Sequence, residues 1–225
     1  MKRLFKHIYN ACASYLALHQ LRRSNKIGRH VLIHKNAVVG TGCILGNNVI
    51  VGRGTKLGNN VQIGNGVRLE RITIGDNSVI EGRVLITGFG DGSIHIGRDS
   101  YVGPDTALDF SASITIGNFV HIAGLSTGLW THSSALMCIN GIPLKDKSVS
   151  HRPTARIVIE DNSYIGGNCT IFPGILIGNH SVVAPNSAVT KDVAPFSLVG
   201  GVPAKFIKST EPMIENKPFS DKANE

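Results

Sequence analysis

Residues 164–205 read YIGGNCTIFPGILIGNHSVVAPNSAVTKDVAPFSLVGGVPAK, and an aliphatic residue recurs at every sixth position: Ile165, Ile171, Ile177, Val183 and Val189. Four places after each comes a small or branched residue, namely Cys169, Ile175, Ser181, Ser187 and Val193. A period of six fits neither a helix, which repeats at about 3.6, nor a hairpin strand, which repeats at about 2. It is a multiple of two, so every unit can present the same faces of one short strand. Hexapeptide periodicity of this kind is the signature of a parallel β-helix.

The same pattern extends outward from this block. Ile27, Ile33, Val39, Leu45, Val51, Leu57, Ile63 and Leu69 are spaced by six, with Val31, Ala37, Cys43, Val49, Thr55, Val61 and Val67 at the second inward position. Glycine follows the aliphatic residue at positions 28, 40, 46, 52, 58 and 64, where the corners are expected to need φ > 0. The register slips by one near Arg71, and Gly88 to Ser93 are inserted before Ile96; a two-residue slip precedes Ile116. Such slips fall at corners, where an extra residue bulges outward without disturbing the core. Three hexapeptides make one triangular coil, so residues 27–205 are expected to form a single solenoid domain of about eight coils.

Three segments lie outside the repeat. Residues 1–24 carry Leu4, Ile8, Ala11, Cys12, Tyr15, Leu16 and His19 at helical spacing between basic ends. They read as an amphipathic helix packed on the solenoid end, with contact to an anionic membrane surface as the sharper alternative. A signal peptide is disfavoured, because Asn10 interrupts the apolar stretch and no cleavage site follows. Residues 128–156 lose the period, and a loop this long within a solenoid is commonly functional. It contains the only Trp of the chain, Trp130, with His132 and His151. Residues 206–225 read as a polar tail with little to bury.

Composition narrows the function classes. The net charge is +8, which suits an anionic ligand or surface, whereas no recognised nucleic-acid motif or stacking aromatic set is present. Cys43 and Cys169 occupy small inward positions, and no zinc-type Cys/His spacing appears among Cys12, Cys43, Cys138 and Cys169. Unpaired thiols favour a cytoplasmic setting, and no apolar run is long enough to span a bilayer.

From Ile114 onward the chain resembles the hexapeptide-repeat acyltransferases, particularly the galactoside and maltose acetyltransferase branch. The resemblance rests on TIGNFVHIA followed by the loop pair Thr131-His132, on IEDNSYIGGNCTIFPGILIG at 159–178, and on VTKDV and GGVPAK within 189–205. It covers about 90 residues in motif detail. It implies a left-handed parallel β-helix, assembled as a homotrimer, with acyl-CoA lying in a groove between two solenoids. The implied activity is transfer of an acyl group, acetyl in the first instance, to a hydroxyl of a sugar or polysaccharide. N-acylation of a nucleotide-linked amino sugar is the neighbouring alternative.

The resemblance assigns the loop histidine His132 as general base, since a neutral imidazole can take the proton of an attacking hydroxyl. The thioester is already activated, so the reaction calls for no nucleophilic Ser or Cys and no metal. The backbone N–H of Gly167 is the implied oxyanion donor. Gly166, Gly167, Ala184 and Pro185 are expected along the pantetheine arm, and Thr190, Lys191 and Lys205 near the nucleotide phosphates. Counting back from Thr115 places Asp105 at the acceptor. No carboxylate partner for His132 is identifiable; Asp146, the only acid of the loop, does not align, and His151 and His121 are rival histidines. A γ-type carbonic anhydrase would need a His-x4-His pair, which is absent at His121 and His132. A non-catalytic scaffold would leave the His-bearing loop unexplained.

Overall fold

The computed structural model describes residues 21, 23–143, 145–146 and 148–214. Within them the chain winds through short parallel strands, and each coil lays one strand on each of three faces. The first face runs from Lys26–Ile27 through Ile44–Leu45, Gln62–Ile63, Val79–Ile80, Tyr101–Val102, His121–Ile122, Tyr164–Ile165 and Val182–Val183 to Ser197–Gly200. The second begins as a three-stranded sheet at Leu32–Ile33 and continues as a five-stranded one from Leu85–Thr87 to Ala188–Val189. Seven strands, from Val38–Val39 to Leu176–Ile177, make the third. Neighbouring coils pair in register, for example Ile44 with Gln62 and Leu45 with Ile63.

The inward residues are those the six-residue period selects. Leu45, Val51, Leu57, Ile63 and Leu69 are buried, as are Cys43, Val49, Val61 and Val67 between them. Ile165, Cys169, Ile171, Ile177 and Val183 continue the same column. Each buried branched side chain contributes on the order of 1.5–3 kcal/mol, and the coil has no second layer to compensate for a lost one.

The corners differ from the sequence expectation in an instructive way. Glycines 40, 46 and 58 adopt ordinary backbone angles; the left-handed positions belong instead to Asn48 (φ 58°), Asn60 (φ 56°) and Asn77 (φ 59°), and to glycines such as Gly66 (φ 73°). The glycine after each aliphatic residue is required because the next coil lies directly on it. A Cβ on Gly40 would collide with the carbonyl of Gly58, whereas one on Gly66 would meet nothing within 4 Å. Asparagine and aspartate side chains bridge the coils at these corners, Asn65 Oδ1 accepting from Asn47 N at 2.7 Å and Asp76 Oδ1 from Asn59 N at 2.7 Å.

Most of the helix expected over 1–24 lies outside the described residues; of its last turn, Leu21, Arg23 and Ser24 are helical. Beyond position 205, where a tail was expected, Lys205–Ser209 form a strand that pairs antiparallel with Ser197–Gly200. Thr210 is buried and donates to the carbonyl of His180 at 2.6 Å. The polar segment therefore starts at the turn Glu211–Met213.

Gly40→Ala should destabilise the fold by about 1–3 kcal/mol, the range for overpacking against backbone. Gly66→Asn should cost much less, since Asn already holds that backbone at 48 and 60. Paired thermal melts test this; equal losses would remove the steric account of the corner glycines.

Candidate active site

Each coil passes from the second face to the third through one corner, and the irregular segments gather there. The insertion 88–93, the residues 109–113 and the loop from Trp130 to Arg156 all leave the solenoid between a second-face strand and a third-face strand. The register that pairs Leu108 with Leu129 sets Asp109 beside the start of the long loop. That loop contains a short helix, Ala135–Ile139, which we label α1, and a 3-10 turn, Val149–His151. Its two ends are tied together: Ala155 N donates to Thr131 O at 2.9 Å, and His132 forms a β-bridge with Thr154. The backbone of His132 is thereby fixed although the loop is long.

Asp109 is fully buried and surrounded by donors. Its Oδ1 accepts from Ser111 Oγ at 2.6 Å and Ser111 N at 3.1 Å; its Oδ2 accepts from Thr131 N at 2.9 Å and meets His132 Nδ1 at 2.6 Å. Burial alone would push this carboxyl up, but the hydrogen bonds from Ser111, His132 and Thr131 outweigh it and hold the group below the usual carboxylate range. An ionised acceptor at Nδ1 selects the tautomer that carries its proton there, leaving the lone pair of Nε2 outward. Nε2 has no partner among the described residues, and the side chain is 26% exposed. Phe89, from the insertion, packs its ring against the imidazole in a T-shaped contact at 4.7 Å. The Arg152 guanidinium lies over Phe89, 5.5 Å from the ring centroid, and its Nε reaches Met137 Sδ at 2.7 Å.

The carboxylate that orients His132 is thus Asp109, which sequence reasoning missed; Phe89, Ser111 and Arg152 were missed with it. One signal was available: Asp109 follows Leu108 where other units place glycine, next to the slip in register. Asp105 is elsewhere, at the corner between first and second faces, its carboxylate held by Arg83 at 2.8 and 2.7 Å. Asp146 sits 3.5 Å from His151 within the loop. His121 is on the outside of the first face, stacked between Tyr101 and Tyr164 with centroids 4.6 and 5.4 Å away.

Gly166, Gly167, Ala184 and Pro185 stack at the corner between the first and second faces, where a Cβ on Gly166 would press on Pro185 and one on Gly167 on the carbonyl of Gly124. The N–H of Gly167 has no hydrogen-bond partner among the described residues. Thr190, Lys191 and Lys205 come together with Ala204 and Phe206 around an open cavity of ≈ 430 Å³ at the C-terminal end of the solenoid. Among the described residues no cluster of His, Cys, Asp or Glu could hold a metal ion.

Comparison with known proteins agrees with this architecture. The model of the GMPPB C-terminal domain matches residues 27–90, and that of the hexapeptide repeat of succinyl-transferase matches 156–191. Galactoside O-acetyltransferase of Escherichia coli K12 is 30% identical over 151 residues, spanning 66% of this chain and 69% of that protein. A chloramphenicol acetyltransferase of Agrobacterium fabrum is 29% identical over 119 residues, 48% of this chain and 56% of that protein. The crystal structure of AntD, an N-acyltransferase from Bacillus cereus in complex with dTDP and 3-hydroxybutyryl-CoA, superposes with a TM-score of 0.54 at 24% identity, covering 84% of each chain.

The depressed carboxyl of Asp109 fixes the sign of an acid effect. A carboxylate held below its unfolded value, about 3.9, contributes stability that is fully present above that pH and is lost as pH falls through the folded value. The melting gap between wild type and Asp109→Asn should therefore be widest above about pH 5 and close toward strong acid. A gap that stays constant down to the lowest accessible pH would argue against an ionised Asp109.

Proposed function

The chain belongs to the hexapeptide-repeat acyltransferases, whose left-handed β-helix it shares, and on that premise we propose that it transfers an acetyl group from acetyl-CoA to a hydroxyl of a sugar or polysaccharide, with His132 as general base. The single observation that carries this reading is the 2.6 Å contact between His132 Nδ1 and the buried Asp109, which leaves Nε2 as a free, outward base.

In this reading the acceptor hydroxyl gives its proton to Nε2 as its oxygen bonds to the thioester carbonyl carbon. The imidazolium is stabilised by Asp109 through Nδ1. Collapse then breaks the C–S bond, and the departing sulfur takes the proton back from Nε2, giving an ester and a free thiol with no net change in the enzyme. Charge on the carbonyl oxygen during the transfer is met by a backbone donor, for which the unpartnered N–H of Gly167 is available. Phe89 provides an aromatic wall beside the base, suited to the apolar face of a sugar ring. Acceptor choice would then depend on the insertion as much as on the loop.

His132 and Gly167 stand at two different corners of one solenoid, with the width of the second face between them. One copy therefore does not supply both groups to one acyl carbon. A rotationally symmetric assembly brings the corner of one copy against the other corner of its neighbour, and three copies close such a ring. From Ala107 onward the outward positions of the second face hold only small residues, Ala107, Gly128, Thr170 and Ala188, which suits close approach around a central axis. Thr190, Lys191 and Lys205 would meet the phosphates of the nucleotide end of acetyl-CoA, and Gly166, Ala184 and Pro185 would border its pantetheine arm.

His132→Ala should lower kcat by about a hundredfold to ten-thousandfold, the range for losing a positioned acid–base group. Acetyl-CoA binding should survive. The rival is tested in parallel: if His151→Ala is the inactive variant and His132→Ala is not, the base has been misassigned.

Lys191→Ala and Lys205→Ala should each raise the KM for acetyl-CoA while leaving kcat nearly intact, since phosphate contacts are similar in ground and transition states. Steady-state kinetics at two salt concentrations distinguish the roles. A lower kcat at unchanged KM would place these lysines at the reacting atoms instead.

A further inference from the structure

The net positive charge of this protein resides at one end of the sequence. Residues 1–69 contain eleven Lys and Arg and no Asp or Glu; from Glu70 onward there are twelve Lys and Arg against fifteen Asp and Glu. The net +8 is thus a strongly basic N-terminal end joined to a weakly acidic remainder.

The structure shows that this is not a collection of paired surface charges. Arg23, Lys26, Arg29, Lys35, Arg53 and Lys56 are exposed and have no ion pair among the described residues. The arginines of the middle coils are engaged, Arg71 with Asp91 at 3.5 Å, Arg83 with Asp105 at 2.7 Å and Arg98 with Asp99 at 2.8 Å. The unpaired set also surrounds the first coils instead of favouring one face. Lys26 points out from the first face, Arg29 from the next corner, Lys35 from the corner after it and Lys56 from the third face. Between them stand exposed aliphatic side chains, Leu32 at 64%, Val38 at 55% and Ile44 at 38%.

We propose that the N-terminal end of the solenoid docks end-on against an anionic lipid bilayer, its first two coils supplying the basic and aliphatic contacts. A ring of unpaired cations fits the headgroups of anionic lipids, and aliphatic side chains among them gain from burial at the headgroup boundary. A soluble polyanion would satisfy the cations but leave Val38 and Ile44, on the third and first faces, in water, and a nucleic acid would call for stacking aromatics that are absent from these coils. Rotational symmetry, in the assembly proposed above, places identical ends of all copies in one plane and multiplies the contact. The docking differs from an anchor made by residues 1–20 alone, because Lys26, Arg29 and Lys35 belong to the rigid first coil. It also fixes the height of the active site. From Lys26–Ile27 to the His121–Ile122 strand of the His132 coil there are five ladder steps, which at about 4.8 Å each is roughly 24 Å. An acceptor reaching that base from the bilayer is a glycan of several sugars on a lipid anchor, a consequence that rests on the acceptor class proposed above.

The test is co-sedimentation of the full chain with phosphatidylcholine vesicles with and without phosphatidylglycerol, alongside acetyl transfer to a soluble acceptor. Wild type should bind only the phosphatidylglycerol vesicles and should be released in 1 M salt, where the screening length is about 3 Å. The variant Lys26→Glu/Arg29→Glu/Lys35→Glu should lose about tenfold or more in vesicle affinity, while its melting temperature and its transfer to the soluble acceptor stay near wild type. Lys208→Glu, outside the basic end, should bind vesicles as wild type does. The proposal is overturned if phosphatidylglycerol vesicles do not retain the protein, if both vesicle types retain it equally, or if the triple variant binds undiminished. Polyphosphate binding without vesicle binding would overturn it in favour of a soluble polyanion. A protein that docks but transfers nothing would count against the proposed activity and not against the docking.

Discussion

Every strand in this solenoid hydrogen-bonds the strand one coil away, in register, at the spacing of about 4.8 Å that a parallel ladder imposes. That constraint decides what each position can hold. Inward positions receive one side chain per coil and so repeat Ile, Val or Leu; the residue after them lies directly beneath the next coil's backbone and so repeats glycine. Outward positions stack into columns, which is how Tyr101, His121 and Tyr164 come to lie ring on ring. A coil cannot widen on any face without breaking its ladders. Extra residues are therefore expelled at corners, and in this chain they are expelled at one corner in particular, between the second and third faces. The insertion bearing Phe89, the slip bearing Asp109 and Ser111, and the loop bearing His132 share that edge, and successive coils stack them beside one another.

This explains what could be read from the sequence and what could not. The period of six fixed the coil, the core positions and the place where a long loop interrupts them, since each depends only on local spacing. His132 followed from its loop and its Thr-His context. Asp109 did not, because its meeting with His132 depends on how many residues each intervening corner absorbs. The separation of 23 residues is one coil plus corner material, and only the observed pairing of Leu108 with Leu129 turns it into adjacency. Asp105 illustrates the same difficulty from the other side. Counting back in whole units gave Asp105 as a contact to the acceptor, and the structure sets it at a different corner from His132, with its carboxylate held by Arg83. The strand Lys205–Ser209 was invisible for a different reason: it is antiparallel and carries no sixfold pattern.

The buried carboxylate is a costly element, and its surroundings indicate why it is retained. Desolvating an ion without compensation would destabilise the fold severely, yet Asp109 receives hydrogen bonds from Ser111 and Thr131 that do not involve His132 at all. The corner residue Ser111 and the start of the loop at Thr131 thus hold an ionised acceptor in place, and the next loop residue lays its imidazole on it. Orientation and tautomer of the imidazole are set by the buried carboxylate, while its ring packs on Phe89 from the insertion. The two tasks are carried by different physical layers.

That separation bears on how one scaffold can serve different acceptors. The ladder, the corner glycines and the buried acid lie in the coil, where a change of one methylene is resisted by backbone on both sides. Phe89 and Arg152 belong to segments the coil has expelled, which tolerate changes of length and composition because their removal breaks no ladder. Relatives of this chain are named for acceptors as unlike as a galactoside and chloramphenicol, a spread that is easier to reconcile with variation in the expelled segments than with variation in the core. Acceptor recognition here should accordingly be sought around Phe89 and Arg152, where the shape of the surface can change without disturbing the carboxylate that holds the His132 imidazole.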